Sequence, residues 1–245
     1  MYRNNHIIRV VRHIVDINAD IVKELGKNAG ADVIGIASAD CFVNSQEGFR
    51  PVDKLASCRS VIVLGCPFPQ EAIFKSTAEY TAIRNLIVKK MDEMAKTLAR
   101  QIKKLGYETK AIGGLGGKRV NGHFYGHISL KHAAELAGIG KISRNYLLTN
   151  PEYGNMLWFT AVLTSAELTP DSLALYDVCG SCNKCVEVCP SGALNDAGLF
   201  GQKKCYQTCY KTVKGKLELK CFQCRKVCPY RFGSNQFTDI PHISV

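Results

Sequence analysis

Long apolar runs are missing from this chain of 245 residues. The most apolar stretch, Met156 to Ala166, is about half the roughly 20 residues that a membrane-spanning helix needs, and it contains Thr160, Thr164 and Ser165. A signal-peptide core is missing too: Arg9, Arg12 and His13 break every apolar run between Met1 and Val15. Cysteine is scarce over the first two thirds, where only Cys41, Cys58 and Cys66 occur, which excludes a secreted disulfide scaffold. Acidic residues are few, 21 against 32 basic, for a net charge of +11. Hydrophobic residues, at 46%, still suffice for a core, so disorder is excluded. A soluble protein of the reducing cytoplasm, without membrane contact, is expected.

Helix and strand patterns alternate along the first part. Ile17, Ile21, Leu25 and Ala29 recur at helical spacing before Gly30, and Ala31 to Ala37 reads as a short buried strand. Ser60 to Cys66 is a second strand, stopped by Pro67 and Pro69. Ile83, Ile87, Met91, Met94, Leu98, Ile102 and Leu105 form one stripe of a long helix ending at Gly106, with Lys89, Lys90, Lys96, Lys103 and Lys104 on a solvated face. Tyr107 to Ile112 predicts a third strand, Gly113 to Arg119 a glycine-rich loop, Ser129 to Ala137 a helix, and Asn155 to Thr164 a strand. Helices between strands suggest an α/β (α+β) domain over residues 1–170, with Pro170 and Asp171 as the linker to a second domain over 171–245. Gly114 to Gly117 is not a dinucleotide fingerprint, because its spacing is wrong and no acidic residue follows at the required distance.

Nine of the twelve cysteines lie between Cys179 and Cys228. Cys179, Cys182, Cys185, Cys189 and Pro190 have the bacterial ferredoxin spacing for a 4Fe-4S cluster. In that pattern three thiolates bind one cube and the fourth cysteine serves a second. Cys221, Cys224, Cys228 and Pro229 form a shortened copy, with Cys205 or Cys209 upstream to complete it. Exchange of fourth ligands gives Cys179, Cys182, Cys185 and Cys228 to the first cluster. The second takes Cys189, Cys221, Cys224 and either Cys205 or Cys209. Paired C-x2-C motifs also bind zinc, but the repeated cysteine-proline spacing favours iron.

The chain resembles epoxyqueuosine reductases and, more distantly, reductive dehalogenases. The likeness is carried by Gly30 to Ala37, Phe49 to Gly65, Ala133 to Leu148 and the cysteine tail from Val178. It implies a cobalamin-binding domain joined to a ferredoxin-like module with two 4Fe-4S clusters. Electrons from an external low-potential donor would reduce cobalamin for the removal of oxygen or halogen from a small-molecule or modified-nucleoside substrate. It also implies that the cobalamin lies against glycine-rich segments, here Gly138, Gly140, Lys141, Ser143, Arg144 and Asn145, and it favours Cys205 over Cys209 as a ligand. Lys118-Arg119 and Lys141 to Asn145 are basic groups beside glycine, suited to a phosphate.

Two departures stand out. Phe124 occupies about the position of the family's aspartate, and no carboxylate occurs between Lys110 and Lys131, so His123, Tyr125 and His127 are the candidate proton donors. The chain also ends at Val245, without the helical-repeat domain that helps the family hold tRNA, which weakens the expectation of tRNA as partner. The rival expectation is a non-catalytic ferredoxin-type electron carrier serving a partner such as a corrinoid protein. Eight thiolates and two cubes would bring the net charge to about +7, so basicity is weak support for nucleic acid.

Overall fold

The computed structural model describes residues 16–121, 123–175, 177–195 and 200–233. Met1 to Val15, read above for an export signal, lies outside them. Asn18 caps α1 (Ala19–Asn28) by accepting the Ile21 N–H at 2.9 Å. β1 (Val33–Ser38), the one-turn α2 (Pro51–Lys54) and β2 (Ser60–Pro67) follow. α3 (Thr77–Lys104) begins earlier than its apolar stripe predicts, because a capping box starts it. The Glu79 N–H donates to Ser76 Oγ at 3.2 Å and the Ser76 N–H to Glu79 Oε2 at 3.0 Å.

Then come β3 (Thr109–Ile112), the hairpin of β4 (Lys118–Val120) and β5 (His123–Tyr125), and α4 (Leu130–Leu136). The short pair β6 (Lys141–Ile142) and β7 (Leu148–Thr149) precedes β8 (Leu157–Thr164). The cysteine-rich part contributes α5 (Lys184–Glu187), α6 (Gln202–Cys209), the hairpin of β9 (Tyr210–Val213) and β10 (Lys216–Leu219), and α7 (Gln223–Lys226).

The main sheet has the order β1-β2-β8-β3, and every pairing in it is antiparallel. The fold is mixed helix and sheet, as expected, but the strands that α3 joins are not neighbours: β8 inserts between β2 and β3. Both faces of the sheet are covered. Val61, Val63, Ala161 and Leu163 pack with Ala133, Ala134 and Ala137 of α4. The alternating Ile62, Leu64 and Val162 pack with Val22 of α1 and Met91, Met94, Leu98 and Ile102 of α3. Two-sided burial is why β2 and β8 read as nearly continuous apolar runs, with Thr160 and Thr164 buried among them. The five lysines of the α3 stripe's opposite face are exposed, and among the described residues no helix is long and apolar enough to cross a membrane.

The division expected near residue 170 falls on a clamp. The Asp171 N–H donates to Ile36 O, the Ile36 N–H donates to Asp171 Oδ2, both at 2.9 Å, and Lys23 pairs with the same carboxylate. A third core cluster crosses this division, joining Phe68, Tyr80 and Met156 to Leu219 and Phe222.

Asn150 ties the loop before β8 together. Its side-chain N–H donates to Ile139 O at 2.6 Å, and its carbonyl accepts the N–H groups of Glu152 and Tyr153 at 2.9 and 3.0 Å. Asn150→Ala leaves a buried carbonyl without its donor, and a loss of about 2 kcal/mol is expected in urea unfolding.

Candidate iron–sulfur site

The first cysteine run is a loop closed by short hydrogen bonds. Asp177 Oδ1 accepts the Cys179 N–H at 2.9 Å, the Cys182 N–H donates to Cys179 O at 2.7 Å, and α5 lifts Cys185 by one turn. Helix α7 does the same for the second run, ending where the Cys228 N–H reaches Arg225 O at 3.4 Å. Cys179, Cys182, Cys185 and Cys228 line one pocket, with Ser143 and Asn145 on its wall. These four are the first-cluster set that the sequence predicts.

Burial raises the thiol pKa values of Cys185 and Cys228, and the neighbouring thiols raise them further. Four sulfurs that repel one another as anions call for cationic metal between them. Among the described residues, no three His, Cys, Asp or Glu side chains converge tightly enough to hold a single ion. Tetrahedral zinc would keep each sulfur about 2.3 Å from one centre. Thiols ringing a cavity suit a cube better.

The second group gathers on α6 and beside α7. The Cys205 and Cys209 thiols are hydrogen-bonded, and the bond from Cys209 holds Cys205 down at about 7, although burial opposes it. Cys209 is pushed the other way, first by that same bond and then by burial, and its Sγ contacts Cys221 O at 2.9 Å. Cys224 is pushed up to about 12 by burial, with Cys205, Cys221 and Cys185 adding to it. Around Cys189 the contacts are different: burial raises its pKa, but the Ser191 hydroxyl at 3.5 Å and nearby backbone bonds outweigh that and lower it.

The residues that the resemblance gives to cobalamin are committed to other contacts. A Cβ on Gly138 would lie 2.2 Å from Ser172 O, and one on Gly140 2.3 Å from Thr149 O, so both glycines admit the chain itself. Ser143 Oγ donates to Thr149 Oγ1 at 2.7 Å. The Arg144 N–H points to Cys179 Sγ at 3.4 Å, and its guanidinium bonds Asn183 and, at 3.1 Å, Gly180 O. Asn145 Nδ2 donates to Cys224 O at 3.3 Å. Of the six, Lys141 alone is an exposed side chain. Through Arg144 and Asn145 this stretch is tied to both cysteine loops.

The candidate proton donors sit on or beside the β4–β5 hairpin. His123 and His127 are exposed, while Tyr125 is half-buried and stacks on Phe49 with ring centroids 4.5 Å apart. Phe124, between them, is docked on α6. Its N–H donates to Gln202 Oε1 at 3.0 Å, its carbonyl accepts from Gln202 Nε2 at 2.8 Å, and its ring faces Tyr206 at 6.0 Å. The basic pair is spent on rings: Lys118 Nζ lies 5.3 Å from Phe49 and the Arg119 guanidinium 4.3 Å from Tyr206. Sequence reasoning missed the hairpin and the roles of Gln202, Phe49 and Tyr206. The Asn121-Gly122 dipeptide was a signal for the hairpin, but nothing local marks Gln202.

Comparison with known proteins agrees with this geometry. The family described as "4Fe-4S binding domain" matches residues 175–195. An epoxyqueuosine reductase of Bacillus anthracis is 28% identical over 251 residues, covering 84% of this chain and 63% of its own length. That of Bacillus subtilis is 32% identical over 120 residues, covering 45% and 31%. The chain therefore spans about a third to two thirds of these relatives. In fold it is similar to the epoxyqueuosine reductase of Streptococcus thermophilus, with a TM-score of 0.61, 22% identity, and coverage of 86% of this chain and 65% of that one. A reductive dehalogenase structure described as suggesting a mechanism for B12-dependent dehalogenation gives a TM-score of 0.68, 22% identity, and coverage of 89% and 33%. In sequence and in fold, with its 4Fe-4S segment, the chain is epoxyqueuosine reductase-like.

Proposed function

We propose that the chain is an iron–sulfur reductase with two 4Fe-4S clusters, which passes electrons from an external low-potential donor to a cobalamin for reductive removal of oxygen or halogen. The observation that carries this reading is the cavity faced by Cys179, Cys182 and Cys185 from one run and Cys228 from the other. The second cluster is assigned to Cys189, Cys205, Cys221 and Cys224. Residues 1–170 would receive the electrons and residues 171–245 carry them.

Cobalamin enters on the likeness to the dehalogenase described as B12-dependent. With Arg144 and Asn145 bonded to the cysteine loops, the exposed Leu115 to Gly117 segment with His123 and His127 is the proposed surface for a cofactor and substrate. His127 lies over Gly116, its Nε2 3.3 Å from where a Cβ would stand. The exposed His127 imidazole is the proposed proton donor, whereas Tyr125 is held in its stack. A small molecule or a modified nucleoside is the proposed substrate class. The second class draws on a related structure, 23% identical, solved with an epoxyqueuosine-modified tRNA stem loop.

One observation favours a second reading, a non-catalytic electron carrier: Phe124 stands where a carboxylic acid is expected and is fixed by its backbone to α6. Anaerobic reconstitution followed by titration with cob(II)alamin separates the two. Saturable binding with a changed cobalt paramagnetic resonance spectrum is expected, and absence of binding by protein carrying both clusters would leave the carrier.

A further inference from the structure

Ser143 to Leu147, the loop between β6 and β7, is closed by its own hydrogen bonds. The Ser143 N–H donates to Leu147 O at 3.0 Å, the Tyr146 N–H to Ser143 O at 2.8 Å, and the Leu147 N–H to Asn145 Oδ1 at 3.0 Å. Tyr146 stands at φ +56°, in the left-handed region. A side chain there is disfavoured by about 1–2 kcal/mol, and such a residue persists only where its surroundings hold it. Helix α4 supplies the hold from two side chains one turn apart. Glu135 Oε1 accepts the Ile142 N–H at 2.8 Å, and Lys131 Nζ donates to Tyr146 O. The Tyr146 ring stacks on Phe200 with centroids 4.6 Å apart.

A loop held in this way aims one amide at a sulfur. The Arg144 N–H donates to Cys179 Sγ, with 3.4 Å between nitrogen and sulfur. The Arg144 guanidinium bonds Asn183 Oδ1 and, at 3.1 Å, Gly180 O, so the first cysteine run is fastened to the amide that serves it. Asn145 Nδ2 donates to Cys224 O at 3.3 Å, which adds a tie to the second run. Ser143 and Asn145 also border the pocket shared by Cys179, Cys182, Cys185 and Cys228.

We infer that the Ser143 to Leu147 loop tunes electron uptake: it gives the Arg144 N–H to the sulfur of a cluster ligand and so raises the reduction potential of the first cluster, with Tyr146 as the positioning residue that fixes the amide. The inference rests on the reading above that Cys179, Cys182, Cys185 and Cys228 hold a 4Fe-4S cluster. One-electron reduction adds a negative charge that the ligand sulfurs share, and a hydrogen bond strengthens as its acceptor becomes more negative. The bond therefore stabilises the reduced level more than the oxidised one, as hydrogen bonds to cluster sulfurs do in general. No bond breaks and no proton moves. Because α4 and the loop itself fix the amide, the bond can be altered without replacing a ligand.

The test is a redox titration of the reconstituted full chain, with each cluster followed by paramagnetic resonance and iron counted. Cys179→Ala identifies the first cluster, since it should lose one signal and about half the iron. Arg144→Ala and Arg144→Pro both lack the guanidinium and differ in the N–H. The equilibrium constant for reducing the first cluster should be about tenfold lower in the proline variant, the size of one hydrogen bond to a charged group, or about 59 mV for one electron. The second cluster should hold its place. Tyr146→Gly and Tyr146→Val both lack the ring and form an independent pair: glycine accepts the left-handed turn, whereas β-branched valine resists it and should lower the same potential. If the proline variant assembles no first cluster, the Tyr146 pair decides. Equal potentials within either pair, or equal shifts of both clusters, would overturn the inference while leaving the cluster reading intact. Full iron and both signals in Cys179→Ala would instead remove that reading, and the inference with it.

Discussion

Cys205→Ser is expected to halve the iron of the reconstituted protein, from about eight atoms per chain to about four, whereas Cys209→Ser keeps the full complement. The two thiols lie one helical turn apart on α6 and share a hydrogen bond, so position alone does not separate them. The contact each makes does. Cys209 Sγ is engaged with the Cys221 carbonyl at 2.9 Å, while the shared bond lowers the pKa of Cys205, the direction that favours a thiolate ligand. Serine at 209 can still donate to that carbonyl, which is why little loss is expected there. Iron and sulfide analysis, with the cluster absorbance, reads the difference. Equal loss in both variants would show that the helix, not the ligand, had been damaged.

Gly154→Ala should be strongly destabilising for a change of one methyl group. Gly154 sits at φ +57°, where an alanine costs about 1 kcal/mol. Its Cβ would also lie 2.2 Å from Tyr230 O and 2.4 Å from Arg231 C, both backbone atoms with nowhere to go. Gly233 meets the same turn from the other side, its own Cβ position 2.1 Å from Glu152 O. The Asn155 N–H donates to Arg231 O at 3.1 Å, so the strand leading to β8 and the segment after Cys228 are pressed together. Forcing them apart should cost about 2–5 kcal/mol in denaturant unfolding. Gly215→Ala is the control: φ is +75° but open space surrounds it, and only the backbone cost of about 1 kcal/mol remains. Because Tyr230 follows Cys228 so closely, Gly154→Ala should also weaken the first cluster, while Gly215→Ala spares it.

What the sequence made legible follows from how local each constraint is. The cysteine spacing is dictated by the geometry of a cube, and it predicted the set that faces the cavity. β2, α3 and β8 were visible because burial on one or two faces leaves a periodic mark. Strand order was not, since nothing in β8 announces that it will part β2 from β3. Arg84 sits on the stripe of α3 at helical spacing from Val88 and Met91, all three buried, and an apolar pattern passes over a charged residue in such a place. Gln202 shows the opposite limit: its side chain reads only the backbone of Phe124, and any residue could supply that.

The core cluster that crosses the division near residue 170 has a consequence for anyone who would take the protein apart. Tyr80 of α3 stacks on Phe222 at 4.1 Å, and Thr81 exchanges hydrogen bonds with the backbone of Leu219. Each half supplies part of the other's interior. A ferredoxin-like cassette excised at Asp171 would show Leu219, Phe222 and Phe232 to water, and the remainder would show Phe68, Tyr80 and Met156. Both pieces would tend to stick to themselves. The two parts are therefore not interchangeable, and grafting one onto a new host requires redesigning the wall they share.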